Sequence, residues 1–147
     1  MDVILTTCVE KNGSLLVVQE AKEKALGLWN LPSGHLKQNE DVFEGAIREA
    51  REETGFDVEL VSLLSIHNYI RQHKPILRIV FIARTISDNG DFNRDEIMDV
   101  KWIPISELEN MEDKLRSSES FKDIIQDIKN GVSYPLIIVK NIIGTQA

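Results

Sequence analysis

The chain has 147 residues, carries 24 Asp and Glu against 17 Lys and Arg for a formal charge of −7, and is 42% hydrophobic. This composition describes one soluble globular domain over 1–147, long enough to bury roughly 68–70% of the surface its unfolded form exposes without disulfides or a structural metal. Cys8 is the only cysteine, which excludes an intramolecular disulfide and a Cys-rich zinc site and fits a cytoplasmic location. The acidic excess argues against a nucleic-acid polymer as partner, because such binding needs surplus Lys and Arg. It leaves room for a small phosphorylated ligand, provided divalent cations sit between the two negative parties. The start of the chain has neither a basic leader nor about 20 consecutive apolar residues, so it is read as mature and not membrane-bound.

In chain order, residues 3–9 and 15–18 are β-rich runs on either side of Lys11, Asn12 and Gly13, the pattern of a hairpin. Residues 21–27 read as a mixed-charge loop and 28–31 as a short extended piece, since a residue before proline is pushed away from helical angles. Residues 40–54 predict a helix. Apolar side chains fall at 42, 43, 46, 47 and 50, and Gly55 supplies a left-handed stop. Two longer β-rich stretches, 58–69 and 76–86, flank the polar segment 71–75 and are expected to pair. Residues 88–91 predict a turn, 99–103 a short strand and 106–111 a short helix. Phe121, Ile124, Ile125 and Ile128 place one apolar stripe on a helix ending near Gly131. The apolar tail, 135–143, suits either packing on its own chain or covering a partner, so both monomer and homodimer stand.

The segment 34–56 carries the chemistry. Glu49, Glu52 and Glu53 stand at i, i+3 and i+4, on one side of the helix at the edge of its apolar arc. Neighbouring carboxylates repel, and hard divalent cations that prefer oxygen ligands are the natural compensation. Arg48 lies four residues from both Glu44 and Glu52 and can pair with either. Gly34, without a side chain, lets its carbonyl approach a metal held by the helix. Taken alone, each of these features is more often a solvated helix face or an ordinary turn.

The complete spacing decides between these readings. Gly34, Glu40, Arg48, Glu49, Glu52, Glu53 and Gly55 occupy the fixed positions of Gly-x5-Glu-x7-Arg-Glu-U-x-Glu-Glu-x-Gly-U, the Nudix box, where U is bulky and apolar. The sequence thus resembles the Nudix hydrolase superfamily. That resemblance implies a single-domain α/β fold, an α/β/α sandwich with a mixed central sheet. It also implies dependence on Mg²⁺, with Mn²⁺ as an alternative, and cleavage of a phosphoanhydride. Gly34, Glu49, Glu52 and Glu53 are the expected metal ligands, with Glu96 added from the acidic loop before Trp102. Glu49, Glu52, Glu53 and Arg48 are the expected catalytic group, with Glu49 or Glu52 favoured over Glu53 as general base. Ala50 and Phe56 fill apolar positions of the box, Ser33 replaces one of a frequent Gly pair, and Lys37 stands where many members carry Glu.

Segments outside the box are similar to the NudJ branch: 28–36, Leu77-Arg78, Lys101-Trp102, Leu115-Arg116-Ser117 and Tyr134-Pro135-Leu136. This implies a phosphatase acting on thiamine-type pyrophosphates or nucleoside di- and triphosphates. The alternatives are a MutT-type nucleoside triphosphate pyrophosphohydrolase, an ADP-ribose or dinucleoside polyphosphate hydrolase, and a non-catalytic Nudix-fold regulatory domain. Lys37, Trp29 and Tyr69 are the candidate substrate contacts, the aromatic pair for stacking a base or pyrimidine ring and Lys37 for phosphate. The three histidines, His35, His67 and His73, lack zinc-ligand spacing, and no Gly-x-Ser-x-Gly elbow or Gly-x4-Gly-Lys loop is present.

Overall fold

The computed structural model describes residues 2–88 and 90–142; Asn89 of the expected turn and Ile143 of the tail lie outside the described residues. Seven strands form a mixed sheet. β1 (Asp2–Lys11) lies at its centre, parallel to β6 (Lys74–Asp88) and antiparallel to β4 (Ser33–His35), while β5 (Phe56–Arg71) closes that edge antiparallel to β6. On the other side β2 (Ser14–Glu20) pairs with β3 (Trp29–Asn30) and with β7 (Ile97–Pro104). β1 and β2 share only the pairs Glu10 with Leu15 and Lys11 with Ser14, so the two halves part beyond the hairpin.

Side chains alternate across the strands, and both faces are covered. Leu5, Phe81 and Leu63 pack with Ala46 of α1 (Val42–Thr54), and Val9, Leu16, Val58 and Ala83 pack with Ala50. The opposite face, with Cys8, Leu15, Val17, Leu64 and Val80, receives Phe121, Ile124 and Ile125 of α3 (Ser118–Lys129). Burial on both faces explains why β1 and β2 read as continuous apolar runs. Ile47 departs from the expected apolar arc of α1 and is exposed.

Several elements differ from expectation for local reasons. β4 is too short and too poor in β-branched residues to be read from the sequence. β5 and β6 run longer than predicted because the tight turn at Gln72 and His73, both with positive φ, keeps them paired to the last residue. The helix expected over 106–111 is the single turn α2 (Ile105–Leu108). In the tail, a 3₁₀ turn at Leu136–Ile138 brings Leu136 and Val139 onto the α1 side of the core, while Ile137 and Ile138 stay exposed. Among the described residues, no helix is long and apolar enough to cross a membrane.

Candidate active site

α1 starts at Val42 because Asp41 caps it. The Asp41 carboxylate accepts from the Glu44 N–H at 2.8 Å and the Glu44 carboxylate accepts from the Asp41 N–H at 3.4 Å, a reciprocal box worth about 1 kcal/mol. This engages Glu44 and corrects the expected Arg48–Glu44 pairing. Arg48 instead grips Glu40, from the loop before the helix, with two bonds of 2.8 and 2.7 Å. The same guanidinium donates to Glu49 at 2.7 Å, to Glu52 at 3.2 Å and to the His35 carbonyl at 3.2 Å. One cation therefore fixes three carboxylates, and its bonds hold the Glu40 carboxyl below the usual carboxylate range.

Glu49 and Glu53 point inward and are 8% and 7% exposed. The Ser33 N–H of β4 donates to Glu53 Oε1 at 3.0 Å. Burial pushes the Glu53 carboxyl well above its usual range, and the nearby charges of Glu49, Glu20 and Glu96 push it the same way. Burial also raises Glu49, against the opposing pull of Arg48. At Gly34 the backbone passes directly over this pair, and a Cβ built there would fall on the Glu49 carboxylate. The glycine is required by space alone.

The parted halves of the sheet open onto a cleft of about 280 Å³. Glu20, Glu49, Glu53 and Glu96 contribute acids to its wall, and Lys22, Lys37, Arg71, Arg78 and Arg116 contribute bases. Some of these compensate each other: Arg116 meets Glu20 at 3.1 Å and Lys22 meets Glu96 at 3.1 Å. Glu53 has no ion pair among the described residues. Two buried carboxylates beneath a backbone with no side chain in the way suit a hard divalent cation, whose preferred donors are oxygens. The donor set is open rather than a closed cage, for among the described residues no three acidic, His or Cys side chains converge on one point.

Of the residues singled out from sequence, Gly34, Lys37, Glu49, Glu53 and Glu96 line the cleft. Glu52 does not. It is half-buried beside Arg48, and its carbonyl accepts from Asn93 at 2.7 Å, which ties the acidic loop to α1. Gly55 helps here, because its bare Cα leaves room for the Asp91 backbone. Tyr69 does not line the cleft either; it lies in the wall of an adjoining cavity, its hydroxyl accepting from Arg71 and Arg78 at 3.2 Å each. Trp29 is 8% exposed and lies in the core with Leu31 and Leu115, with Lys101 over its ring at 5.4 Å, away from the cleft. Sequence reasoning gave no role to Glu20, Arg71, Arg78 and Arg116. The available signal was a lone charge in an apolar strand, as in Leu77-Arg78-Ile79 and Val18-Gln19-Glu20.

A mixed sheet between helical layers, with the 34–56 motif spread over β4, α1 and the start of β5, is the Nudix architecture. Residues 2–124 match the model of the NUDIX domain. The chain is 32% identical over 123 residues to Nudix hydrolase 8 of Arabidopsis thaliana, covering 80% of this chain and 33% of that protein. It is 31% identical over 105 residues to an 8-oxo-dGDP phosphatase of Mus musculus, covering 69% of this chain and 32% of that protein. A NUDIX hydrolase structure from Nitrosomonas europaea superposes with a TM-score of 0.87 at 25% identity, over 95% of both chains. The chain belongs to the Nudix family, and it spans about a third of the length of these curated relatives.

Proposed function

We propose that this chain hydrolyses a phosphoanhydride bond in a small diphosphate, a nucleoside di- or triphosphate or a thiamine-type pyrophosphate, in the manner of the NudJ branch, with Mg²⁺ as cofactor. The observation that carries this reading is the pairing, in one cleft, of the buried Glu49 and Glu53 under Gly34 with a wall of arginines and lysines. Acids without enough cations hold metal ions, and bases beside them hold the phosphates those ions neutralise.

Glu49, Glu53, the Gly34 carbonyl and Glu96 would hold the metal, with Glu52 reaching it from the helix edge. Bound there, Mg²⁺ supplies charge neutralisation and a more acidic coordinated water. The protein's own residues position the reaction. Arg48 fixes the Glu49 and Glu52 carboxylates, and the Ser33 N–H fixes Glu53. Glu49 lines the cleft and Glu52 does not, which favours Glu49 as the group that takes the proton of the attacking water. Phosphoryl transfer needs little beyond such positioning and charge neutralisation.

The test is a panel assay with Mg²⁺ on thiamine pyrophosphate, nucleoside di- and triphosphates, ADP-ribose and diadenosine polyphosphates, measuring orthophosphate and pyrophosphate separately. Orthophosphate from diphosphates is expected. Pyrophosphate from triphosphates with inert diphosphates would place the chain with MutT-type enzymes, and no turnover on any substrate would favour a regulatory Nudix domain.

A further inference from the structure

Resting on that hydrolytic reading, we propose that Arg78, Arg71 and the first turn of α3 form a second, metal-independent anion subsite for the phosphate bonded to the organic group of the substrate. Arg78 is 4% exposed, and its guanidinium is a permanent cation. Its Nη1 donates to Thr6 Oγ1 at 3.3 Å and its Nη2 to Tyr69 Oη at 3.2 Å, both neutral acceptors. Its buried Nε–H has no partner, and among the described residues no carboxylate forms an ion pair with it. A buried charge left in this state costs free energy unless an anion completes it.

The neutral hydroxyls beside Arg78 are already engaged. Ser33 Oγ donates to the Leu31 carbonyl at 3.0 Å, so at the 2.9 Å contact between Thr6 and Ser33 the Thr6 hydroxyl is the donor. The Thr6 lone pair is then what receives Arg78, and the guanidinium is locked in place. Arg71 adds a second cation: it donates to the same Tyr69 oxygen at 3.2 Å, and both guanidinium carbons lie 5.7 Å from the Tyr69 ring centroid. Two like charges converging on one phenol oxygen repel each other, and an anion reaching both offsets the repulsion.

The position of this pair assigns it a ligand. Arg71, Arg78 and Ser117 line the cleft that holds Glu49 and Glu53, and they also line an adjoining cavity of about 1170 Å³ with Tyr69 and Ser118 in its wall. Ser117, the N-cap residue of α3, makes no side-chain capping bond and lines both spaces, so the positive end of the helix dipole lies beside this junction. The terminal phosphate therefore lies over Glu49 and Glu53, the ester phosphate at Arg78 and Arg71, and the organic group in the larger cavity. In a diphosphate, the water oxygen bonds to the terminal phosphorus as the bridging P–O bond breaks. The electron pair leaves with the organic monophosphate, and the water proton passes to Glu49.

The experiment titrates inorganic phosphate into the full chain in EDTA, following the arginine Nε–H resonances by NMR. Wild type, Arg78→Met, Arg71→Met and Glu53→Gln are compared. Saturable binding that shifts the Arg78 Nε–H signal, persists in Glu53→Gln and weakens at least tenfold in Arg78→Met is the expected result. No binding by wild type, or unchanged binding by Arg78→Met, overturns the subsite. If Arg78→Met fails to fold, Arg71→Met decides: tenfold weaker binding supports the subsite and unchanged binding overturns it. Parallel Mg²⁺ turnover of thiamine pyrophosphate and nucleoside diphosphates separates the two claims. Hydrolysis without arginine-dependent phosphate binding overturns the subsite alone, and such binding without hydrolysis of any substrate overturns the catalytic reading alone.

Discussion

Glu53 and Arg78, an acid and a base, line the same cleft and are both buried, yet neither forms an ion pair among the described residues. Glu20 and Arg116, in the same wall, do pair. On the proposed function, the contrast separates charges that serve the fold from charges held for a ligand. A fold selected for stability alone would pair or remove a buried carboxylate and a buried guanidinium. Here each is anchored by neutral groups, Ser33 N–H for one and Thr6 and Tyr69 for the other. Arg48 belongs to the first kind, and the guanidinium that grips Glu40 also donates directly to Glu49.

The largest expected effect comes from removing the unpaired acid. Glu53→Gln should reduce Mg²⁺-dependent turnover by about 10²–10⁴-fold, with far-UV circular dichroism unchanged; turnover near wild type would break the contrast at its acidic end. Arg48→Ala should cost about 10–100-fold in turnover through misplaced carboxylates, and should also lower the melting temperature, because Glu40, Glu49 and Glu52 lose their common partner. Gly34→Ala forces a methyl group onto the Glu49 carboxylate. It should destabilise by about 1–3 kcal/mol and raise the Mg²⁺ concentration needed for half-maximal activity.

The smallest effect is one of pH. The carboxyls of Glu49 and Glu53 titrate above their ordinary range in the folded chain. The unfolded chain therefore releases their protons first as pH rises, so metal-free protein loses stability from the ordinary carboxylate range upward. Glu40 has the opposite sign: its contribution is full above that range and is lost as pH falls through its depressed value. Melting temperatures in EDTA should therefore rise as pH is lowered from 7.5 to about 5 and fall again in stronger acid. Glu53→Gln should flatten the first limb and leave the second.

The acidic half of this cleft is legible in the sequence because helical periodicity places Glu49, Glu52 and Glu53 together without reference to the rest of the chain. Even there, burial separated Glu53 from Glu52 in a way the period does not reveal. The basic half is not legible. Arg71 and Arg78 meet at Tyr69 only through the register of the β5–β6 hairpin, in which Tyr69 pairs with Ile76, and Arg116 reaches Glu20 across 96 positions. Trp29 shows the converse, an aromatic residue in a promising segment that the packing of Leu31 and Leu115 draws into the core. The charge pattern is informative in retrospect. Residues 40–53 and 91–99 together hold the whole excess of −7, and the fold brings Glu49, Glu53 and Glu96 from those two windows to one wall.

On the proposed function Glu53, which has no ion pair among the described residues, binds a divalent cation together with Glu49 beside it. Calorimetric titration of Mg²⁺ into metal-free wild type and Glu53→Gln tests it most directly. Saturable binding by wild type, at least tenfold weaker in the variant, is the predicted result; equal binding by the two proteins, or none by wild type, would contradict it.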